Sequence, residues 1–311
     1  MANQQDVVPS RFLRDRQGSR TALVFAAGAV ALWSTNALVG KSLLENHPVS
    51  LVQFLQFTGA TLVFLAIRLM SRENVSAGVS LAGVKAGLVS ISVGVIGLVG
   101  TMVLQYVAFA SMPVIEANLV AYTWPLMVAA TVIVLETPRR PALLAVTATL
   151  GFIGVALVIS GGGHRSWFQG NLTGYVSAFG SALCMAFYSI AVGRLAVSPD
   201  RLLLPSALIG MAITFLWCIN DTVAWYIEPD LFLGLYLGAG PMGLGYYFWS
   251  RALKLDGGKV AIAAYLTPIA SMLLLTLSGE RLTMTAIVGA VLVIGSCVAV
   301  GMERSEAGNH A

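Results

Sequence analysis

Trp33-Ser34-Thr35-Asn36 sets an indole, two hydroxyls and an amide in a row inside a segment that is otherwise apolar. Similar groups recur along the chain. Gln53 and Gln56 are three residues apart, and Thr101 and Gln105 are four apart, so each pair shares one helical face. Asn118, Tyr122 and Pro125 fall at i, i+4 and i+7, a later stretch offers Tyr246, Tyr247 and Trp249, and another offers Tyr265 and Pro268. Amide and hydroxyl groups can hold the two charged ends of a zwitterion. Tyr and Trp faces can sandwich an apolar or aromatic group, with ring contacts adding ~0.5–1.5 kcal/mol. Two other uses of the same side chains stand beside this one: polar glue between membrane helices, and interfacial aromatic belts. Tyr122 and Tyr265 fit a belt poorly, because each lies beside a proline far from its helix end. Pro125 and Pro268 each free a backbone carbonyl and kink a helix, which serves a hinge or plain packing.

Glu116 is the one carboxylate that adjoins an apolar interior. It follows Pro113 in what should be the opening turn of a helix, where the helix's positive end favours it. Its alternative role is as a proton-coupling or amino-group-binding site. Uncoupled flux is the simpler expectation, since the chain of carboxylates that a proton relay needs is missing. His47 and His164 read as outer-loop residues, and His310 lies near the C-terminus.

These residues must be positioned by elements that suit a bilayer. Ten stretches of at least 19 residues contain no Lys, Arg, Asp or Glu: 21–40, 48–67, 86–115, 117–135, 141–163, 166–193, 202–220, 231–250, 260–279 and 282–302. A helix needs about 20 apolar residues to cross the hydrocarbon core. The chain is 57% hydrophobic and only 10% charged, with mean hydropathy +0.83. Soluble domains carry roughly 25% charged residues, so no sizeable water-soluble domain fits here. The fold class is therefore an all-α polytopic membrane protein with ten transmembrane helices. The apolar run after residue 20 is too long for a signal-peptide core and reads as a retained first helix.

Placing the N-terminus in the cytoplasm puts 15 of the 18 bases on that side and leaves only Lys41, Arg165 and Arg281 opposite. This is the positive-inside pattern, with both termini cytoplasmic. The same distribution argues against a nucleic-acid partner for the net charge of +4. The two halves also echo one another: Tyr122-Thr-Trp-Pro125 answers Tyr265-Leu-Thr-Pro268, Glu136 answers Glu280, and Ser189 occupies the repeat position of Asn36. Five helices per half is an odd number, so the second copy enters the membrane upside down. Inverted repeats of this kind are a common plan of secondary transporters. The expected organisation is a cytoplasmic tail over 1–20, five-helix repeats over 21–161 and 171–302, and a second cytoplasmic tail over 303–311.

Missing motifs narrow the chemistry. No G-x-x-x-x-G-K-[ST] is present, so ATP hydrolysis by this chain is excluded and no ATPase partner is implied. Neither H-E-x-x-H nor G-x-S-x-G occurs, which removes familiar protease and esterase chemistry. Cys184, Cys218 and Cys297 all lie in apolar windows and read as small buried hydrophobes, with no metal or cofactor implied. Gly161-Gly162-Gly163 reads as a helix stop, and Gly94, Gly97 and Gly100 as a stripe for close helix approach.

The ten-helix repeat, Trp33-Ser34-Thr35 and the Tyr/Pro helix of each half resemble the drug/metabolite transporter superfamily in its EamA-like branch, over about residues 20–302. Within it, Ile115-Glu116, Tyr122, Trp124 and Pro125, Gly243, Tyr246 and Trp249, and Tyr265-x-Thr267-Pro268 resemble aromatic amino acid exporters of the YddG type. The resemblance implies a bacterial inner-membrane exporter that uses alternating access and a central cavity lined by Trp33, Tyr122, Trp124, Tyr246, Trp249 and Tyr265. Its expected cargo is amino acids, preferentially aromatic or large apolar ones, carried without ATP. Asn36, Gln105, Asn118 and Ser189 complete the candidate substrate-binding set, with Pro125 and Pro268 as hinges and Glu116 as the coupling candidate. Other small metabolites or lipophilic drugs are the alternative cargo. An intramembrane enzyme would need a His/Asp/Glu cluster at common depth, which the charge-free windows deny.

Overall fold

The computed structural model describes residues 7–71, 81–136, 140–160, 171–195, 198–223, 228–277 and 284–309. Every regular element among the described residues is helical. Backbone groups in a bilayer must be satisfied within the segment, which leaves helices as the solution for a chain of this composition. Among the described residues, six stretches are long and apolar enough to cross a membrane: Arg20–Leu44, Val49–Met70, Ala86–Ser111, Glu116–Leu135, Leu172–Arg194 and Arg201–Asn220. Shorter apolar helices occupy Pro141–Leu157, Val260–Ala270 and Ile287–Ser296. Gly161-Gly162-Gly163, His164 and His310 lie outside the described residues, as do Glu280 and Arg281.

Several helices are interrupted where the sequence suggested none. The first pair, α1 (Val7–Trp33) and α2 (Asn36–Leu44), is separated by a turn at Ser34-Thr35. There the Ser34 hydroxyl donates to the Ala31 carbonyl at 2.7 Å, and that of Thr35 to Leu32 at 2.9 Å. Hydroxyls that compete for backbone carbonyls in this way favour a local break. After α3 (Val49–Met70), α4 (Leu81–Gly94) runs through a π-helical stretch, Val95–Gly100, into α5 (Thr101–Ser111). A second π stretch, Gly238–Leu244, joins α11 (Leu231–Leu237) to α12 (Gly245–Asp256).

Both Tyr/Pro helices are also broken. A turn at Tyr122-Thr123 divides α6 (Val114–Ala121) from α7 (Trp124–Glu136). A 3-10 segment, Gly257–Tyr265, precedes α13 (Leu266–Leu277). Pro125 and Pro268 thus stand in the opening turns of fresh helices, where a missing N–H costs nothing. They do not bend continuous ones, and this replaces the expected kinks. The remaining elements are α8 (Pro141–Ser160), α9 (Leu172–Arg194), α10 (Pro199–Asn220) and α14 (Met284–Asn309). Asn171 caps α9 by accepting from the Gly174 N–H at 2.8 Å.

Packing follows from small residues and from lipid. The main contacts pair α8 with α14, α3 with α10, α1 with α12 and α5 with α9. A methyl group added at Gly59 would meet the Ala239 nitrogen at 2.9 Å and the Gly238 Cα at 3.1 Å, so α3 and the second π stretch approach backbone to backbone. The Gly94/Gly97/Gly100 stripe faces Ser206, Tyr188 and Cys184 in turn, each too close to admit a Cβ without movement. Large apolar side chains such as Leu62, Leu69, Val134, Leu150, Leu172 and Leu216 stay exposed on the outside, the surface that lipid covers. Inside, most helix hydroxyls return to a carbonyl of the preceding turn, as in Thr58, Ser90, Thr131, Thr147, Ser206, Thr214 and Ser296.

Candidate functional site

An aromatic cluster forms where α1, α7, α9 and α12 meet. Trp249 stands at its centre, fully buried, with ring centroids 5.3 Å from Trp33 and 5.5 Å from Trp124, the latter edge-on at 86°. Tyr246, one turn earlier on α12, lies 5.9 Å from Trp33 and 5.5 Å from Tyr188 of α9. Separations of 4.5–7 Å with tilted or edge-on rings are the arrangement that aromatic quadrupoles prefer. Each element places its ring for a local reason. Trp33 is the last residue of α1 before the Ser34-Thr35 turn, and Trp124 is the first of α7 after the Tyr122-Thr123 turn. The two indoles therefore sit at helix ends inside the bundle, beside irregular backbone.

Polar atoms thread the cluster. The Trp33 indole N–H donates to the Pro241 carbonyl in the second π stretch at 2.9 Å. The Trp249 N–H donates to Ser189 Oγ at 3.2 Å. The Tyr188 and Ser250 hydroxyls lie 2.7 Å apart, and Ser250 donates onward to the Tyr246 carbonyl at 2.6 Å. The buried hydroxyls of Tyr246 and Thr101 face each other, and that of Thr267 faces Tyr122, each contact falling short of full hydrogen-bond geometry. A buried polar group with a poorly met hydrogen bond costs free energy, so a ligand's polar atoms can compete for these hydroxyls. Tyr122, half-buried at the end of α6, leans towards Thr267 of α13.

A second network ties α2, α3 and α5. Tyr106, fully buried, accepts from Gln56 Nε2 at 2.6 Å and donates to Asn36 Oδ1 at 3.0 Å, while Gln53 donates to Gln56. Glu116 occupies the first turn of α6, is buried, and accepts a hydrogen bond from the Tyr175 hydroxyl of α9. Among the described residues it is the one buried carboxylate.

The structure thus gathers Trp33, Trp124, Ser189, Tyr246 and Trp249 into one cluster, with Tyr122 packed against the same core. Asn36 joins the neighbouring amide network. Gln105 and Asn118 are half-buried and take no part in these ring contacts. Tyr265 is buried in the same core as Trp124, Tyr246 and Trp249, on its far side, with its ring over Gly151 of α8 and near Ser296 of α14. Pro125 and Pro268 are buried. Spacing alone missed Tyr106, Tyr175, Tyr188, Pro241 and Ser250. Two of these are the immediate neighbours of Gln105 and Ser189, so the signal lay one residue from the positions that periodicity selected.

The comparisons with known proteins agree with a transport bundle. The chain is 29% identical over 282 residues to the aromatic amino acid exporter YddG of Ancylobacter novellus, covering 89% of this chain and 96% of that protein. A solved crystal structure, 26% identical, superposes with a TM-score of 0.77 over 91% of this chain and 98% of its own. The family model for EamA-like transporters matches twice, over residues 20–160 and 172–302. The protein is a multi-pass bacterial membrane transporter, and the chain belongs to the EamA-like transporter family.

Proposed function

We propose that the protein exports amino acids, preferentially aromatic or large apolar ones, across the bacterial inner membrane by alternating access and without ATP. The observation that carries the reading is the aromatic cluster of Trp33, Trp124, Tyr188, Tyr246 and Trp249, with the poorly paired hydroxyls of Tyr246, Thr101 and Thr267 in its surroundings. Rings of this kind bind an aromatic side chain face or edge on. Those hydroxyls and the half-buried amides of Gln105 and Asn118 offer hydrogen bonds to an amino group and a carboxylate. In the proposed topology ten helices form two inverted five-helix repeats over 21–161 and 171–302, with both terminal tails in the cytoplasm. Support comes from contacts that fall in reciprocal pairs: α1 lies along α12 as α9 lies along α5, and α3 touches the second π stretch as α10 touches the first. Tyr122 and Pro125 in the first half, and Tyr265 and Pro268 in the second, flank the broken backbone about which the two halves move. Glu116 holds the start of α6 against α9 and couples no proton.

Counterflow in proteoliposomes tests the reading. Protein loaded with unlabelled tryptophan should accumulate labelled tryptophan and phenylalanine well above labelled glutamate or lysine, at zero pH gradient. Equal uptake of all four, or none, would refute it.

A further inference from the structure

We propose that His47, Glu228 and Asp230 form a zinc-binding site that joins the two family-matched segments at one end of the bundle. His47 lies in the short link between α2 and α3, and both acids lie in the link between α10 and α11. Their ligand atoms fall within 4.8 Å of one another although 183 residues separate His47 from Asp230. His47 Nε2 is 2.8 Å from Asp230 Oδ2 and 3.8 Å from Glu228 Oε2. Zinc takes nitrogen and carboxylate oxygen at ~2.0–2.2 Å in a tetrahedron, which sets ligand atoms about 3.4 Å apart. Two separations bracket that edge and the third, between the carboxylates, is within 4.8 Å, so a turn of the exposed Glu228 side chain completes the set.

Two further observations favour a cation. Asp230 is 36% exposed and shares a hydrogen bond with His47 through Oδ2, while its Oδ1 is covered and makes none, an acceptor left over next to the ligand atoms. Asp230 also precedes α11 without capping it through its side chain, so the carboxylate is not committed to the helix. The His47 side chain is only 9% exposed, whereas that of Glu228 is 56% exposed, which leaves a held imidazole and an open side for water as fourth ligand. One imidazole with two carboxylates matches zinc. Calcium takes six to eight oxygen ligands, and magnesium holds mostly water and oxygen in an octahedron. A metal here pins the α2–α3 link to the start of α11, and in the proposed orientation the site faces the periplasm.

The test uses the full chain, purified without a histidine tag, exchanged into chelator-treated buffer and loaded with zinc chloride. We expect one zinc per chain retained through gel filtration, and with cobalt in its place a visible d–d band of a tetrahedral N/O site. His47→Ala and Asp230→Asn should each weaken zinc binding by more than about tenfold, the loss that even outer partners of a metal site produce. His164→Ala and His310→Ala should bind as the unmodified chain does. Glu228→Gln, at the exposed position, supplies a variant that keeps its fold if His47→Ala does not. Zinc retention no higher than in the Asp230→Asn and Glu228→Gln variants, or equal retention by all variants, would overturn the site. Neither outcome bears on the counterflow result.

Discussion

Tyr106→Phe removes one oxygen from the interior and nothing else. That oxygen accepts from Gln56 at 2.6 Å and donates to Asn36 at 3.0 Å, and the phenol is fully buried, so water cannot replace it. Two polar groups lose a partner at once. Inter-helix hydrogen bonds in membrane proteins average ~0.6 kcal/mol with a maximum near ~1.7. Leaving a buried group unsatisfied in a soluble protein costs ~1–3 kcal/mol. Two bonds on the membrane scale give about 1–3 kcal/mol, and two groups on the soluble scale about 2–6; the membrane scale suits this interior and sets the expected loss. At about 2–4 °C per kcal/mol for a chain of this order, the midpoint should fall by roughly 2–12 °C. The assay is thermal unfolding in mild detergent followed by intrinsic tryptophan fluorescence, repeated for Asn36→Ala and for the double variant. Because the two residues share a bond, the double variant should be less destabilised than the sum, with a coupling of at least about 0.5 kcal/mol. Midpoints within about 1 °C of the unmodified protein, or strict additivity, would refute the network as described.

Tyr122→Ala should weaken tryptophan binding about fivefold, the loss of a ~1 kcal/mol ring contact, while leaving the protein in the membrane; apparent affinity in counterflow reads it. Tyr265→Ala should act through stability instead, since the ring fills space between α8 and α14, with a cost of about 3–5 kcal/mol in detergent unfolding and unchanged affinity in the protein that survives. Glu116→Gln should keep most of its flux down a tryptophan gradient, because the amide oxygen still accepts from Tyr175; uphill accumulation driven by protons alone, and lost in this variant, would make Glu116 the coupling group. In a cysteine-free background, cysteines at Ser10 and Asn309 should resist impermeant maleimide in intact cells while one at Asp221 reacts, and labelling of either terminus would overturn the proposed orientation.

Charge avoidance is what made the helical class readable. An ion at membrane depth is so costly that its absence over about 20 residues marks a helix almost regardless of the other residues. The breaks within helices were not readable, because each depends on a competition that composition does not record. Ser34 and Thr35 return their hydroxyls to Ala31 and Leu32, and the two π stretches coincide with glycines that face Tyr188 or the backbone of Gln56. At the site, the identity of the large aromatics was legible and their pairing was not. Trp33, Trp124 and Trp249 stand out in any reading of the chain, whereas Tyr188 enters only through the register of α9 against α12. The Tyr/Pro echo suggested equivalent surroundings for Tyr122 and Tyr265. Helix crossings give them different neighbours, Thr267 for one and Gly151 for the other.

The π stretches also change what a deletion would mean. A π turn holds one residue more than the α turn it replaces. Removing a single residue from Val95–Gly100 would let the ladder close as plain α-helix, with both ends of the helix still able to form. Azimuth would be nearly kept, because the residue removed is the extra one that the π turn holds. Thr101, Met102 and Tyr106 would stay on their present faces, and the cost would fall on the wide turn that carries Gly97 against Tyr188 and Gly100 against Cys184. The same deletion within the ordinary α turns of α5 would instead rotate everything beyond it by about 100°. The π stretch therefore serves this helix as a slip joint, a place where the chain can lose a residue without turning its inner surface.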